Sequence, residues 1–233
     1  TIFKERGGDP LREGKKDPLD ALLWLSHREG EPSWPSPQGE GRPGWHIECC
    51  AIALHYLQPE EGDSTSIDIQ GGGSDLIFPH HEMSASQGEI LEGREFASHY
   101  VHAGMIALDG VKMSKSLGNL VFVSKLVSEG TDPMAIRWAL MESHYSTDRS
   151  WSTELLASSE DWIIRLRRAL SMMETAPTDT VIQGLINAQS DNLDTQKSLA
   201  ILKAWVEYCE AGSTGGSAGE LSRAIDSLLG LAL

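Results

Sequence analysis

Lys112 and Lys115 are separated by two residues in Val111-Lys112-Met113-Ser114-Lys115-Ser116, with Ser114 and Ser116 interleaved. Two cations at that spacing on a short loop can clamp a triphosphate, and the hydroxyls add hydrogen-bond donors for its oxygens. Asp109-Gly110, just upstream, reads as the hairpin-like turn that presents the loop. Further upstream, a strand-like run Ile67-Asp68-Ile69-Gln70 enters Gly71-Gly72-Gly73-Ser74-Asp75, where three glycines let the backbone approach a ligand closely. Phe78-Pro79-His80-His81-Glu82 follows, and Trp45-His46-Ile47-Glu48-Cys49 precedes. Cys49 as thiolate and His80 as neutral imidazole are suitable zinc ligands. Each stretch has a plainer reading when taken alone: solvated surface for the lysines, a strand-to-loop turn capped by Asp75, a core tryptophan for Trp45.

Together and in this order, GWHIEC, DIQGGGSD, FPHHE and KMSKS resemble the catalytic core of the cysteine-activating class I synthetases. The likeness covers roughly residues 5 to 150 closely and the helical remainder loosely. It implies an α/β fold: the second half of a class I synthetase-like, Rossmann (HUP-type) parallel sheet followed by a C-terminal helical bundle. It also implies one Zn²⁺ per complete site, held by Cys49, His80 and a further cysteine elsewhere, with ATP and Mg²⁺ as substrate. Trp45 is then the wall of the cysteine pocket. Gly71, Gly72, Gly73, Ser74 and Asp75 border the cysteinyl-adenylate, and Ile106 lies where adenine rests against backbone. His102 has two readings, a contributor to ATP binding or a satisfied core histidine. Lys112 and Lys115, on the loop completed by Met113, Ser114 and Ser116, stabilise charge as the cysteine carboxylate attacks the α-phosphate.

Two branches of this family differ in acceptor: the cysteinyl-tRNA synthetases, and the ligases of mycothiol biosynthesis that join cysteine to glucosaminyl-inositol. The tRNA branch carries a glutamate four residues after the first histidine of HHE and a histidine before the triple glycine. Here those places hold Ser84 and Gln70. Glu5-Arg6-Gly7-Gly8-Asp9-Pro10 resembles a signature of the ligase branch, although by itself Gly7-Gly8-Asp9-Pro10 reads as a plain turn. The expected function is ATP-dependent ligation of L-cysteine to the amine of glucosaminyl-inositol. A cysteinyl-tRNA synthetase fragment and a non-catalytic nucleotide-binding or interaction half are the alternatives.

Bulk composition is consistent with the small acceptor. Thirty-four acidic against 19 basic residues give a net charge of −15, which disfavours a polyanion, so no nucleic-acid partner is expected. A hydrophobic fraction of 40% without an apolar run of membrane length points to a soluble protein and no membrane partner. Three cysteines form no disulfide framework, and a reducing, cytoplasmic location is expected. The chain opens at Thr1 and lacks the His-x-Gly-His signature of a class I first half. The expectation is the C-terminal part of a longer enzyme, with its N-terminal half as partner.

The elements that must position these residues follow from pattern. Residues 1–44 read as a connecting segment, with one short helix over Pro18 to Trp24 and a proline-rich ordered loop from Pro32 to Pro43 carrying Trp34. Residues 45–125 read as the catalytic half: a helix from Trp45 to about Leu57, a strand over Ser66 to Gln70, a helix from about Pro79 to Leu91, and a strand over Tyr100 to Leu108. Strand, helix, strand implies a right-handed parallel crossover. Residues 126–233 read as a helical bundle, opened by Asp132-Pro133 as cap and first turn. Leu155, Trp162, Leu166, Leu170 and Met173 recur at helical spacing, as do Leu199, Leu202, Trp205, Val206 and Cys209. Residues 212–219 form a Gly/Ser linker before a last short helix.

Overall fold

The computed structural model describes residues 2–57, 60 and 62–233. Thr1, on which the expected truncation turns, lies outside the described residues, as do Gln58, Pro59 and Glu61 of the expected catalytic half. The chain divides into two compact units, Thr1–Ala103 and Gly104–Leu233.

In the first unit, helix α1 (Ile2–Glu5) precedes an antiparallel pair, β1 (Trp24–Ser26) and β2 (Gly41–Pro43). The helix expected over Pro18 to Trp24 does not form. The Asp17 carboxylate instead accepts from the Leu19 backbone N–H at 2.8 Å, closing a turn, and Trp24 opens β1. Leu19 and Leu23 remain 48% and 56% exposed and only Leu22, the third leucine of the expected helical face, is half-buried, and a helix that short does not hold without tertiary support. The proline-rich stretch is loop only as far as Glu40, since Gly41–Pro43 forms β2, and Trp34 and Gly41 exchange backbone hydrogen bonds of 2.7 and 3.0 Å.

Helix α2 (Trp45–Tyr56) lies where the apolar run predicts. Strands β3 (Thr65–Gly73) and β4 (Glu95–Ala103) pair in parallel, from Thr65 opposite Glu95 to Gly73 opposite Ala103, with α3 (Glu82–Glu92) in the connection. This is the expected strand, helix, strand unit. Its small core joins Cys50 of α2 to Ile67 of β3 and Phe96 and Ala97 of β4, with Ala53, Leu54 and Ala85 packed alongside. Helix α3 starts later than expected. A 3₁₀ turn (Ser74–Leu76) and a π-type turn (Ile77–His81) intervene, and Phe78 is extended at φ −140°, ψ 132°. Phe78 is extended as a residue before a proline tends to be, and the π-type turn takes Pro79, His80 and His81, the first residues of the expected helix.

The second unit opens with a three-stranded sheet in the order β6-β5-β7, formed by β5 (Ile106–Leu108), β6 (Val111–Lys112) and β7 (Arg149–Trp151). Strands β5 and β6 are joined by Asp109 and Gly110 at φ 49° and 78°, the paired left-handed conformation of a two-residue hairpin. The single strand expected over Tyr100 to Leu108 is two strands, in different sheets. The break is at Gly104, whose N–H donates to the Tyr145 carbonyl at 2.8 Å; a Cβ there would lie 2.2 Å from the Thr147 carbonyl carbon.

The remainder is helical: α4 (Val123–Ser128), α5 (Pro133–Met141), α6 (Thr153–Leu170), α7 (Asp179–Ser190), α8 (Thr195–Glu210) and α9 (Ala218–Leu229). Asp132 caps α5 by accepting from the Met134 N–H at 2.8 Å and also pairs with Arg167 of α6. Those bonds hold its carboxyl below the usual range, Arg167 contributing most. Leu199, Leu202, Trp205, Val206 and Cys209 are each at most 4% exposed, as their spacing predicts. Met173 corrects the other stripe: α6 stops at Leu170 and Met173 is fully exposed. The Gly/Ser linker is pinned by a bridge between Thr175 and Gly216. Among the described residues no helix is long and apolar enough to cross a membrane.

Candidate active site

The first unit carries the expected metal and adenylate residues. Trp45 opens α2 and Cys49 follows one turn later. The Trp45 ring stacks on His80 at 4.0 Å between centroids, and Cys49 shares a face of α2 with Trp45 one turn along. Trp45 therefore touches one expected ligand and lies on the helix face that carries the other. His80 is buried, and its Nδ1 lies 2.8 Å from Nδ1 of His46. With the proton of that bond on His80 Nδ1, His80 Nε2 keeps a free lone pair, the tautomer a metal ligand requires. Burial pushes both histidines down towards the neutral form and pushes the Cys49 thiol up, with Glu48 adding to the rise at Cys49.

This donor set fits part of a zinc shell. Cys49 and His80 supply sulfur and nitrogen donors, and among the described residues no group of three or more His, Cys, Asp or Glu is disposed around one point. Ser84 is buried on α3 and donates to the His46 carbonyl at 3.3 Å, so it ties α3 to α2 beside the histidine pair. Gln70 is half-buried in β3, and its Oε1 has no hydrogen-bond partner among the described residues.

The glycine strand end lies against a second histidine pair. His81 Nδ1 and His102 Nε2 are 2.7 Å apart. A Cβ on Gly72 would come within 2.8 Å of the His81 ring, so the triple glycine makes room for a side chain as well as for any ligand. His102 is thus a partnered, half-buried histidine. Gly73 leads into the 3₁₀ turn that carries Ser74 and the half-buried Asp75. The expected signature stretch lies close by. Arg6 donates to the Phe78 carbonyl at 2.9 Å and reaches the Ser74 carbonyl at 3.5 Å, while Phe3 meets Phe78 at 5.9 Å between ring centroids.

The second unit carries the lysine loop. Lys112 ends β6, and both Lys112 and Lys115 are exposed. Asn119, which sequence reasoning passed over, braces the loop: its Oδ1 accepts from the Ser114 N–H at 2.9 Å and its Nδ2 donates to the Lys112 carbonyl at 3.1 Å. Ser114 Oγ lies 3.1 Å from Ser116 Oγ and accepts from the Leu117 N–H at 3.2 Å. Both serine hydroxyls are therefore partly spent on loop shape. Ile106 in β5 packs its side chain beside Ile136, Ala139 and Trp151, which leaves its backbone as the surface it can offer a ligand. Asn119→Ala is expected to lower ATP–pyrophosphate exchange by the full-length protein on the order of tenfold, from loss of two modest hydrogen bonds. Wild-type exchange in that variant would show that the brace is idle.

Residues 3–161 match the family described as the class I (C) tRNA synthetase catalytic domain, and the chain belongs to that family. Its curated relatives include the L-cysteine:1D-myo-inositol 2-amino-2-deoxy-alpha-D-glucopyranoside ligases of Mycobacterium sp. (strain KMS), 53% identical over 236 residues, and of Saccharomonospora viridis, 53% identical over 239. Each alignment takes in 100% of this chain, which spans 55% and 56% of the respective relative. Among solved structures, a ternary LeuRS–tRNA–LeuAMS complex from Agrobacterium radiobacter K84 superposes with a TM-score of 0.63 at 19% identity, covering 90% of this chain and 35% of that one. Mycobacterium tuberculosis methionyl-tRNA synthetase in complex with methionyl-adenylate gives 0.57 at 19% identity, covering 82% and 43%. These likenesses establish the class I synthetase fold for the chain.

Proposed function

We propose that the protein of which this chain is part activates L-cysteine with ATP and passes the cysteinyl group to the amine of glucosaminyl-inositol. The observation that carries the reading is the stacking of Trp45 on His80 with Cys49 one turn along the same helix, in a chain 53% identical to ligases named for cysteine and an amino-sugar inositol. Cys49 and His80 would hold a zinc ion, which when bound would take the substrate sulfur as thiolate and so favour cysteine over serine. With its Nδ1 accepting from His80 Nδ1, His46 would leave His80 Nε2 free for the metal, and Trp45 walls the pocket.

In the first step the cysteine carboxylate oxygen attacks the α-phosphorus of ATP, and pyrophosphate leaves with the electron pair of the broken P–O bond. Lys112 and Lys115 stabilise the charge that develops, alongside the Mg²⁺ that accompanies ATP. Asp75 offers a carboxylate to the ammonium of the amino acid. In the second step the acceptor amine attacks the adenylate carbonyl carbon, the C–O bond to phosphate breaks, AMP departs, and the amine proton goes to solvent. The Ser84 and Gln70 departures support the sugar acceptor over tRNA, as does the acidic balance of the chain. The first step is tested by ATP–pyrophosphate exchange with the full-length protein. Exchange is expected with cysteine and only weakly with serine; equal exchange with both would remove the thiol-selective site.

A further inference from the structure

The ligase-like signature at residues 5–10 opens onto a cavity of about 300 Å³ in the first unit, at the small end of the range for small-molecule sites. Arg6, Arg12, Lys15 and Arg42 line it against Asp9 and Asp20, and Trp45 and His46 contribute to the same wall. We propose that this cavity is the acceptor site, which takes a polyhydroxylated primary amine and delivers its nitrogen beside Trp45; the assignment rests on the function proposed above.

The charge arrangement selects that chemistry. Arg42 is paired with Glu31 at 2.8 Å, whereas Arg6 donates to the neutral Phe78 carbonyl and keeps its charge. That leaves Arg6, Arg12 and Lys15 facing Asp9 and Asp20, a mixed set of three cations and two carboxylates. Vicinal hydroxyls suit such a mixed lining, because they donate to carboxylates and accept from guanidinium and ammonium groups. The Arg12 side chain makes no hydrogen bond among the described residues. Lys15 lies 4.9 Å from the Phe3 ring centroid and reaches the Pro18 carbonyl at 3.4 Å. Asp20 spends Oδ2 on the Lys16 and Asp17 N–H groups, which leaves Oδ1 for a hydroxyl. Because Trp45 lines this cavity and also stacks on His80, an occupant sits next to the place proposed for the activated cysteine.

The test is steady-state kinetics of Arg12→Ala, Arg12→Lys and Lys15→Ala in the full-length protein, with glucosaminyl-inositol as the probe and cysteine-dependent pyrophosphate exchange measured alongside. Each alanine variant is expected to raise KM for the amino sugar about tenfold or more, the loss of one charged hydrogen bond. Exchange should keep its wild-type rate and its KM for ATP, and Arg12→Lys should recover part of the lost affinity. An unchanged KM for the amino sugar would overturn the assignment. A raised KM for ATP in exchange would overturn it too, by giving the cavity to the nucleotide. Failure of the wild-type protein to form any amide would instead remove the underlying function, and the acceptor site with it.

Discussion

Lys115→Ala is expected to lower cysteine-dependent pyrophosphate exchange in the full-length protein by a hundredfold or more, the effect of removing one preorganised cation from a developing charge, about 3 kcal/mol. The ammonium is exposed on a loop whose backbone is closed by Asn119 and by the Gly118 N–H donating to the Lys115 carbonyl. Truncation at Cβ therefore removes charge without removing the loop, and zinc content should not change. Because the interaction strengthens as pyrophosphate leaves, the loss should fall on kcat more than on the KM for ATP. Exchange at the wild-type rate would make the loop ordinary surface.

Cys49→Ala is expected to abolish cysteine activation and to strip zinc from the full-length protein in the same preparation. Cys49 is half-buried at the first turn of α2, and burial keeps its thiol protonated until a cation competes for the sulfur. Cys209→Ala is the control. Its sulfur accepts from the Ala176 N–H at 3.3 Å inside the helical core, so the change costs packing and one weak bond without reaching the first unit. Elemental analysis reads the outcome directly: full zinc occupancy in the Cys49 variant would take that residue out of the site.

The helical unit was largely legible because its signals are local. Asp132 followed by Pro133 writes a helix start, and the stripe from Leu199 to Cys209 writes a buried face, both of which the structure contains. The failures lie where a distant segment decides. Leu19, Leu22 and Leu23 after Pro18 look like a helical face, but Leu19 and Leu23 find no surface to cover and the chain turns. Tyr100 to Leu108 looks like one strand, and only the approach of Tyr145 and Thr147 to Gly104 shows why it is two. Met173 keeps the right spacing but lies beyond the last turn of α6.

Residue types in the candidate site were readable, and their connections were not. Cys49 and His80 are suitable ligands by type, and the family motif is what singles them out. The His46–His80 and His81–His102 pairs, the Ser84 bond to α2 and the double bond of Asn119 across the lysine loop join residues between 5 and 38 positions apart, and spacing alone does not encode them. The one local hint was that His46 sits inside the same short stretch as Trp45 and Cys49.

The most direct measurement is acceptor choice. Full-length protein is supplied with cysteine, ATP, Mg²⁺ and both glucosaminyl-inositol and tRNA, at low salt so that weak polyanion binding is not lost. The account predicts an amide of cysteine with the amino sugar, AMP in equal amount, and no charged tRNA. Robust cysteinyl-tRNA with no sugar product would contradict it.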